Sequence, residues 1–398
     1  MPGVELFGAE ERKEVNDVLE TGILFRYNHD NERKGIWKAK ELEQSIEDFT
    51  GAKHCHFVSS GTAAVYSAMA ACGIGYGDEV IVPPYTFLAT IEAVMFAGGV
   101  PVFAEIDDTI CLNPDSIRKA ITPKTKAICL VHMCGAIGHI EEILQICKEH
   151  NLILIEDSAQ ALGATYKGQH AGTFGKVGCY SFDFFKIVTS GEGGAIVTND
   201  DQIYKNVDTF TDHGHDHIGP LRGMEQHPNV GLNFRTSELH AAVGLAQMKK
   251  LDRILTAQRK NHAKIKAVLE EFPQIKLRNI PEPAGDSCTF ICFFGPDEAT
   301  TRNIVKALAA EGVDSCAYWY DNMYHFIKNW DHIHALKSVN TLPVHVLPKP
   351  QDYSNVSLPM SYDTVSRLIS MTIKVTWSEE DLAKRVENIR KALKSIFN

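Results

Sequence analysis

The chain has 398 residues and a formal net charge of −10, a balance that argues against a surface for nucleic acid or anionic membranes. Hydrophobic residues make up 44% and charged residues 23% of the chain, which is ordinary for a globular protein of two or three domains. No apolar run is long enough to span a membrane, and the first residues lack the features of a signal peptide. Together with ten scattered cysteines, these features predict a cytoplasmic protein.

The cysteines do not follow the paired spacing of a zinc site. Cys288 and Cys292 are separated by three residues, but no second pair matches them. The histidines of segment 212–217 could chelate a metal, but the glycine among them favours a polar loop. We therefore predict no metal site.

The first strand predicted after the polar, helical residues 1–50 is His54–Val58. It runs into Ser60, Gly61 and Thr62 and then into an alanine-rich helix. A helix that follows a small-residue turn presents free N–H groups and the positive end of its dipole to an anion. This turn is a candidate phosphate site.

Strands and helices continue to alternate through residue 155. Predicted strands at 79–82, 100–104, 126–132 and 152–155 are separated by helical patterns, which indicates a parallel sheet with helices on both faces. Phe87 opens one of these helices and is either a core aromatic or a side chain that stacks on a flat cofactor.

Two charged residues follow buried strands near the middle of the chain. Asp157 comes at or just past the run 152–155, where open α/β sheets place ligand-binding groups. Lys186 lies in a polar loop between the strand 179–182 and a glycine cluster. A carboxylate that keeps a pyridine nitrogen protonated and a lysine that bonds to an aldehyde are what pyridoxal phosphate requires.

The other candidate residues fit the same cofactor, and we assign each of them one part of it. Asp157 binds the ring nitrogen, and Lys186 carries the cofactor and moves the proton during catalysis. Gln160, expected one helical turn after the strand, binds the phenolic oxygen. The remaining contacts are with the phosphate and with one ring face, and they come from Gly61, Thr62, Ser181 and Phe87.

The pattern changes after the middle of the chain. Segment 200–235 is polar, and we interpret it as a substrate loop rich in hydrogen-bond donors. From about residue 260 an α+β pattern begins, which predicts a large domain over 1–255 and a small C-terminal domain over 256–398. Ser378 is expected to cap the final helix.

Several of these motifs, in this order, resemble the DegT family of sugar aminotransferases. The matching segments are 60–64, 86–87, 156–160, 180–182, Lys186, 191–194 and 233–235. The resemblance implies the aspartate aminotransferase architecture, with a mostly parallel seven-stranded sheet and a smaller α+β domain. It also implies a homodimer with active sites at the interface, where Asn233 reaches a phosphate of the neighbouring subunit.

A narrower resemblance points to a substrate. Segments 212–219, 231–235, 318–320 and 328–330 resemble the subgroup that makes 8-amino-3,8-dideoxy-manno-octulosonate for lipopolysaccharide. Those enzymes transfer an amino group from L-glutamate to the 8-aldehyde of a free sugar acid. Such a substrate calls for cationic and hydrogen-bonding side chains, and the candidates are His215, His217, Arg222 and Arg235.

Three other functions stay open at this point. An aminotransferase for a nucleotide-linked keto sugar would share every cofactor residue. An NAD-dependent dehydrogenase is suggested only by the glycines at 73, 75 and 77, which follow a predicted helix rather than a strand. A regulator that binds pyridoxal phosphate without catalysis is compatible with Lys186, but the sequence shows no DNA-binding or sensor domain. Within the family, a lysine at 186 favours transamination over the dehydration that accompanies a histidine.

Overall fold

A seven-stranded sheet forms the centre of the protein in a computed structural model that describes residues 2–219, 221–349 and 351–397. The strands of the chain are β1 (His54–Val58), β2 (Glu79–Val82), β3 (Val100–Phe103), β4 (Thr125–Val131), β5 (Ile153–Asp157), β6 (Thr165–Tyr166), β7 (Gln169–His170), β8 (Val177–Ser181), β9 (Gly194–Thr198), β10 (Lys276–Leu277), β11 (Phe290–Phe294), β12 (Cys316–Ala317) and β13 (Leu368–Thr372). The order across the large sheet is β1-β9-β8-β5-β4-β2-β3. Only β9 pairs antiparallel with its neighbours, so the sheet is mostly parallel, as predicted.

Helices cover both faces of this sheet. They are α1 (Pro2–Glu5), α2 (Ala9–Thr21), α3 (Lys38–Thr50), α4 (Gly61–Ala71), α5 (Leu88–Phe96), α6 (Pro114–Ala120), α7 (Ile140–His150), α8 (Asp201–Phe210), α9 (Glu238–Met248), α10 (Leu251–Leu269), α11 (Glu298–Ala310), α12 (Asp331–His334), α13 (Pro359–Ser366) and α14 (Glu379–Phe397). Alternate residues of β4 point to opposite faces. Ala127 and Cys129 pack in a core with α4 and α5, whereas Ile128 and Leu130 pack in another with α6 and α7.

A second sheet lies in the C-terminal part of the chain. Its order is β10-β11-β13-β12, and every pair is antiparallel. Ile265 of α10, Ile304 of α11 and Ile389 of α14 pack in one buried core with this sheet. The predicted domain boundary between residues 255 and 256 falls inside α10. This one continuous helix therefore connects the part of the chain that forms the large sheet with the part that forms the small sheet.

Most predicted elements occur with small shifts in their ends. The expected cap is present, since Ser378 accepts a hydrogen bond from Asp381 N at the start of α14, and Asn113 caps α6 in the same way by accepting one from Ser116 N. In the α+β part of the chain, β12 is short, because only Cys316–Ala317 pairs with β13 and a 3₁₀ turn follows. Within the described residues, no helix combines the length and apolar character that a membrane span needs.

Candidate active site

A cavity of about 630 Å³ lies at the carboxyl ends of β1, β2, β4, β5 and β8, and we call it the lysine cavity. Parallel strands end at the same edge of a sheet, so the short loops that follow them converge there. These loops bring together seven of the residues predicted to serve the cofactor, which line the cavity: Gly61, Thr62, Phe87, Asp157, Gln160, Ser181 and Lys186. Residues of β11, β12 and β13 close its other side.

A larger, open groove of about 1100 Å³ lies at the opposite edge of the sheet. Its lining includes Lys126 near the start of β4, Ile153 at the start of β5 and Lys176 just before β8. The two lysines are already paired, with Asp78 and Asp200 respectively. Ligands of open α/β sheets bind at carboxyl strand ends, so the lysine cavity is the candidate active site.

Asp157 is the last residue of β5 and is almost fully buried, with 6% of its surface exposed. Thr90 Oγ1 donates to Asp157 Oδ2 at 2.7 Å, and Ala159 N donates to Oδ1 at 3.1 Å. Thr86 and Thr90 are joined by a 2.8 Å hydrogen bond between their hydroxyls. These contacts fix the orientation of the carboxylate, while the side chain still lines the cavity.

Glu156, the preceding residue, points to the other face of the sheet and has a different environment. Its carboxylate accepts hydrogen bonds from the backbone N–H groups of Gly172, Phe174 and Gly175 at 2.6–2.8 Å. His132 Nε2 lies 2.9 Å from Glu156 Oε2, and both side chains are fully buried. Glu156 is therefore saturated by structural hydrogen bonds, and Asp157 is the acid available to a ligand.

Lys186 is half-buried in the loop after β8. Burial lowers the pKa of its amine, against the opposing influence of the carboxylates of Asp183 and then Asp157. Among the described residues, no carboxylate lies within ion-pair distance of this amine. An amine with a lowered pKa and no fixed partner is suited to nucleophilic chemistry.

The first turn of α4 forms a cradle at one end of the cavity. Ser60 caps the helix by accepting a hydrogen bond from Ala63 N, which leaves the first N–H groups free to face the cavity. A Cβ atom built on Gly61 would lie 2.8 Å from both Cβ and Oγ of Ser181. Only glycine fits this space, and the cradle combines N–H groups with a hydroxyl as a phosphate requires.

Phe87 and Gln160 line the cavity between the cradle and Asp157. Phe87 is 43% exposed, so its ring is available for stacking and is not the core aromatic that the sequence also allowed. Gln160 lies in a turn rather than one helical turn after the strand, and that part of the prediction was wrong. Its Oε1 accepts a hydrogen bond from Cys134 N at 3.0 Å, which leaves the amide NH₂ to donate.

His325, which the sequence did not indicate, also lines the cavity, as does Trp319 of the aromatic segment 318–320. Segment 325–327 pairs with residues 84–86: Thr86 N donates to His325 O, and Ile327 N donates to Pro84 O, each at 2.9 Å. The rings of Trp319 and His325 have centroids 4.0 Å apart. Burial, with Lys186 adding to it, lowers the pKa of His325 to about 3, so this ring is neutral and can donate or accept.

The predicted sugar-binding residues lie in a separate group, which we call the Asp212 cluster (Asp208, Asp212, His215, His217, Arg222, Glu225 and Arg235). Asp212 is fully buried and accepts hydrogen bonds from Arg222 Nη1 at 2.7 Å and from Arg235. His217 bridges Asp208 and Asp212, with 2.9 Å to each. His215 Nδ1 lies 2.8 Å from Glu225 Oε2. The four residues predicted to bind the sugar therefore come together in this cluster, but none of them lines the lysine cavity of this chain.

Hydrogen bonds and charge hold the Asp212 cluster in its ionised form. Burial acts to raise the pKa of Asp212, but the hydrogen bonds from His217, Arg222 and Arg235 outweigh it and hold the pKa well below its usual range. Burial also opposes the charge on His217, yet its hydrogen bonds to Asp208 and Asp212 raise the pKa of its ring to about 9. The cluster is an internally neutralised ion network.

Asn233 also lies outside the lysine cavity. It is exposed and forms an isolated antiparallel bridge with Asp212. The side chain of Asn233 therefore does not line the lysine cavity of its own chain. Its contact with the phosphate of a neighbouring subunit stays a prediction.

Comparison with known proteins gives the family. The model of the DegT/DnrJ/EryC1/StrS aminotransferase family matches residues 6–340. The chain belongs to this family. Aminotransferases of this family depend on pyridoxal phosphate, and the lysine cavity has the acid, amine and phosphate cradle that this cofactor needs.

Individual relatives differ in substrate. GDP-perosamine synthase of Caulobacter vibrioides is 41% identical over 55% of this chain and 58% of its own length, so the match spans less than two thirds of that relative. The L-glutamine:2-deoxy-scyllo-inosose aminotransferase of Streptomyces kanamyceticus is 39% identical over 70% of this chain and 68% of its own length. The crystal structure of an aminotransferase from Psychrobacter cryohalolentis superposes with a TM-score of 0.85 and 25% identity, covering 98% of both chains.

Proposed function

We propose that the protein transfers the amino group of L-glutamate to the aldehyde or ketone of a sugar. The observation that carries this proposal is the meeting of Asp157, Lys186 and the first turn of α4 in one cavity. Family membership supplies the reaction class. When bound, pyridoxal phosphate would withdraw the electron pair that remains on the substrate carbon after its proton leaves.

The residues of the lysine cavity hold the cofactor and move the proton of the substrate. Asp157, oriented by Thr90, holds a proton on the ring nitrogen of the cofactor, which favours electron withdrawal. The first turn of α4 and Ser181 bind the phosphate, and Phe87 covers one face of the ring. The Lys186 amine would bond to the aldehyde of the cofactor and, when free, would take up and return the proton of the substrate carbon. Its lowered pKa favours the neutral amine that this step requires.

For the acceptor we propose the free sugar acid 3,8-dideoxy-8-oxo-manno-octulosonate, which would yield 8-amino-3,8-dideoxy-manno-octulosonate for lipopolysaccharide. Support comes from the resemblance of segments 212–219 and 318–320 to the enzymes that make this sugar. The rings of Trp319 and Tyr324 and the neutral His325 line the cavity and offer stacking faces and hydrogen bonds to sugar hydroxyls. In this assignment His215, His217, Arg222 and Arg235 recognise the sugar acid from a neighbouring subunit.

A nucleotide-linked keto sugar is the second candidate acceptor. The name of the Caulobacter vibrioides relative states a product of that kind.

One labelling experiment tests both acceptors. The protein, loaded with pyridoxal phosphate, is incubated with L-[amino-15N]glutamate, or with labelled glutamine as an alternative donor, and with each acceptor in turn. We expect 15N in the amino sugar formed from the 8-oxo sugar acid. Label only in the nucleotide-linked product would establish the second candidate. Glutamate alone should convert the bound cofactor to its amine form, and no conversion with either donor would contradict the aminotransferase mechanism.

The assembly that we propose is a homodimer with active sites at its interface. Large apolar side chains are exposed on the loops beside the lysine cavity and the Asp212 cluster: Phe184, Phe185, Ile218, Leu221 and Val230. Large apolar side chains that one chain leaves exposed are often covered at a protein interface. Mixing the Lys186→Ala and Asn233→Ala variants should restore activity through one intact hybrid site, and no restoration would contradict a shared site.

The domain division at residue 255 and a cytoplasmic location are also proposals. The two sheets support the division, and one face of the small sheet has a core of its own, while Phe290, Cys292 and Phe294 join the core of the large sheet. Ten free cysteines, nine of them buried, are compatible with a reducing compartment.

A further inference from the structure

A group of potential metal ligands lies apart from the lysine cavity, between α10 and β11. It consists of His262 of α10, Asp286 in the loop before β11 and Cys288 just ahead of that strand. One nitrogen, one oxygen and one sulfur from these side chains all lie within 4.8 Å of one another. Asp286 is 4% and Cys288 9% exposed, so the group is largely shielded from solvent.

The hydrogen bonding of these residues is incomplete. Asp286 Oδ1 accepts from Cys288 N at 2.8 Å. Asp286 Oδ2 lies 3.9 Å from His262 Nε2, which is too far for a hydrogen bond. Among the described residues, no hydrogen bond reaches either of these two atoms. The carboxylate oxygen and the ring nitrogen therefore keep lone pairs that a metal ion could accept.

The spacing suits a shared ion better than a direct contact. Two ligand atoms on a tetrahedral zinc ion lie roughly 3.3–3.8 Å apart, given bond lengths of about 2.0–2.3 Å. The 3.9 Å between Asp286 Oδ2 and His262 Nε2 would have to shorten by about half an ångström, and the three donor atoms, which lie within 4.8 Å of one another, would all have to draw together around the ion. Cys288 adopts a left-handed backbone with φ +59°, which is unusual for cysteine. The Asp286–Cys288 hydrogen bond holds it in that conformation.

We propose that His262, Asp286 and Cys288 bind one divalent transition-metal ion of the zinc type, with water as the fourth ligand. An imidazole, a carboxylate and a thiolate are the donors that zinc takes. One thiolate and one carboxylate neutralise the two charges of the ion, so the occupied site carries no net charge within a low-dielectric region.

Without an ion, burial disfavours a charge on each of the three side chains. Burial raises the pKa of Asp286 to about 6 and the pKa of Cys288 to about 12, and it lowers the pKa of His262 to about 4. Each shift disfavours charge in the absence of a cation. Metal binding releases the thiol proton to solvent and leaves the imidazole neutral. Arg259, Lys266 and Arg278 add positive charge around the site, which weakens binding without removing it.

The ion would fasten α10 to the loop that leads into β11. That loop also contacts the cavity side of the protein, because Ser287 N donates to Gly135 O at 3.0 Å. Thr289, the residue after Cys288, lines the lysine cavity. The metal would be a structural clamp behind the cavity wall, and its binding does not depend on the proposed transamination.

The test is metal binding by the whole protein, loaded with pyridoxal phosphate. The protein is freed of metal with a chelator, dialysed against zinc, and its zinc content is measured by mass spectrometry. We expect one zinc per chain and a higher midpoint of thermal unfolding with zinc than without it. Cys288→Ser and His262→Gln should each weaken zinc binding at least about tenfold. Cys316→Ser, which changes a half-buried cysteine elsewhere, should bind as the unchanged protein does.

X-ray absorption at the zinc edge of the unchanged protein keeps the proposal testable even if a variant fails to fold. We expect one sulfur neighbour and two or three lighter neighbours around the zinc. Substoichiometric zinc, a zinc site without sulfur, or equal zinc affinity in Cys288→Ser would each overturn the proposal. Because the readout is metal content and ligand type, its failure would leave the aminotransferase assignment untouched.

Discussion

The lysine cavity and the Asp212 cluster both collect charged residues, but they differ in how the charges are balanced. Asp212 is fully buried, and three cationic side chains bind its carboxylate directly. In the lysine cavity, Lys186 has no direct partner among the described residues, and Asp157 is bound only by a hydroxyl and a backbone N–H. Compensated charges keep a region folded, whereas uncompensated groups facing a cavity are available for chemistry.

The largest expected effect follows removal of the uncompensated amine. Lys186→Ala should lower the rate of amino transfer by about a thousandfold or more, because it removes the amine that takes up and returns the proton of the substrate carbon. Steady-state assay of the labelled transfer measures this effect. Lys176→Ala, which removes a surface lysine paired with Asp200, is the matched control. Equal rates for the two variants would show that the unpaired amine of the lysine cavity has no special part in the reaction.

The second largest effect on activity is expected from replacing Asp157, the acid of the lysine cavity. Asp157→Asn preserves shape but cannot hold a proton on the ring nitrogen, so we expect a loss of about a hundredfold in kcat. Stability should change little, because the amide oxygen can accept from Ala159 N while its NH₂ donates to Thr90 Oγ1, whose own proton can turn to Thr86. Asp201→Asn, at a surface carboxylate that is 63% exposed, is the control. Unchanged kcat in Asp157→Asn would show that electron withdrawal does not depend on this residue.

A smaller effect should come from the phosphate cradle. Gly61→Ala places a Cβ 2.8 Å from Ser181, so we expect cofactor affinity to fall about tenfold or more, as ordered phosphate contacts are lost. Titration of the protein with pyridoxal phosphate measures it. Gly75→Ala adds a methyl where no atom lies within 4 Å. If both variants bind the cofactor equally, the cradle is not the phosphate site.

The Asp212 cluster should respond in stability rather than in cofactor binding. Asp212→Asn leaves Arg222, Arg235 and His217 without their shared carboxylate and should lower the free energy of unfolding by about 2 kcal/mol, given the partial exposure of the cations. Denaturant titration gives this value, and cofactor titration should show no change. A weakened cofactor affinity with unaltered stability would reverse the assignment of the two regions.

The smallest effect is a pH dependence. The pKa of His217 is raised to about 9 from an ordinary value near 6.5, so its contribution is fully present below about pH 6.5 and is lost as pH rises through about 9. His217→Gln should therefore destabilise the protein most at about pH 6 and least at about pH 10. Denaturant titrations of both proteins across this range test the sign. A difference that grows with pH would contradict the ion network.

The sequence predicted those parts of the site that follow local rules. Asp157 and Gly61 stand next to buried strands, and strand ends meet at one edge of a parallel sheet. His325 was not predicted, because a pairing between residues 84–86 and 325–327 brings it into the cavity from a distant, irregular segment. The repeated Tyr-Trp-Tyr and Tyr-His-Phe aromatic runs there were the only signal.

The Asp212 cluster shows that the spacing of charged residues in the sequence does not predict which of them pair in the folded protein. Arg222 and Arg235 were predicted to face a substrate, but the sequence does not show that both fold onto one buried aspartate. The same limit applies to His262, which lies 26 residues from Cys288 in the chain and joins it only through the packing of α10 against β11. Partners across tertiary structure are decided by packing, which no local pattern encodes.

The most direct measurement fixes the cofactor to the protein. Borohydride treatment of the protein loaded with pyridoxal phosphate reduces the carbon–nitrogen bond between cofactor and lysine, and peptide mass spectrometry then locates the added mass. The account predicts that this mass lies on Lys186, with loss of the yellow colour of the bound cofactor. Labelling of a different lysine, or no labelling of a protein that still transfers amino groups, would contradict the account.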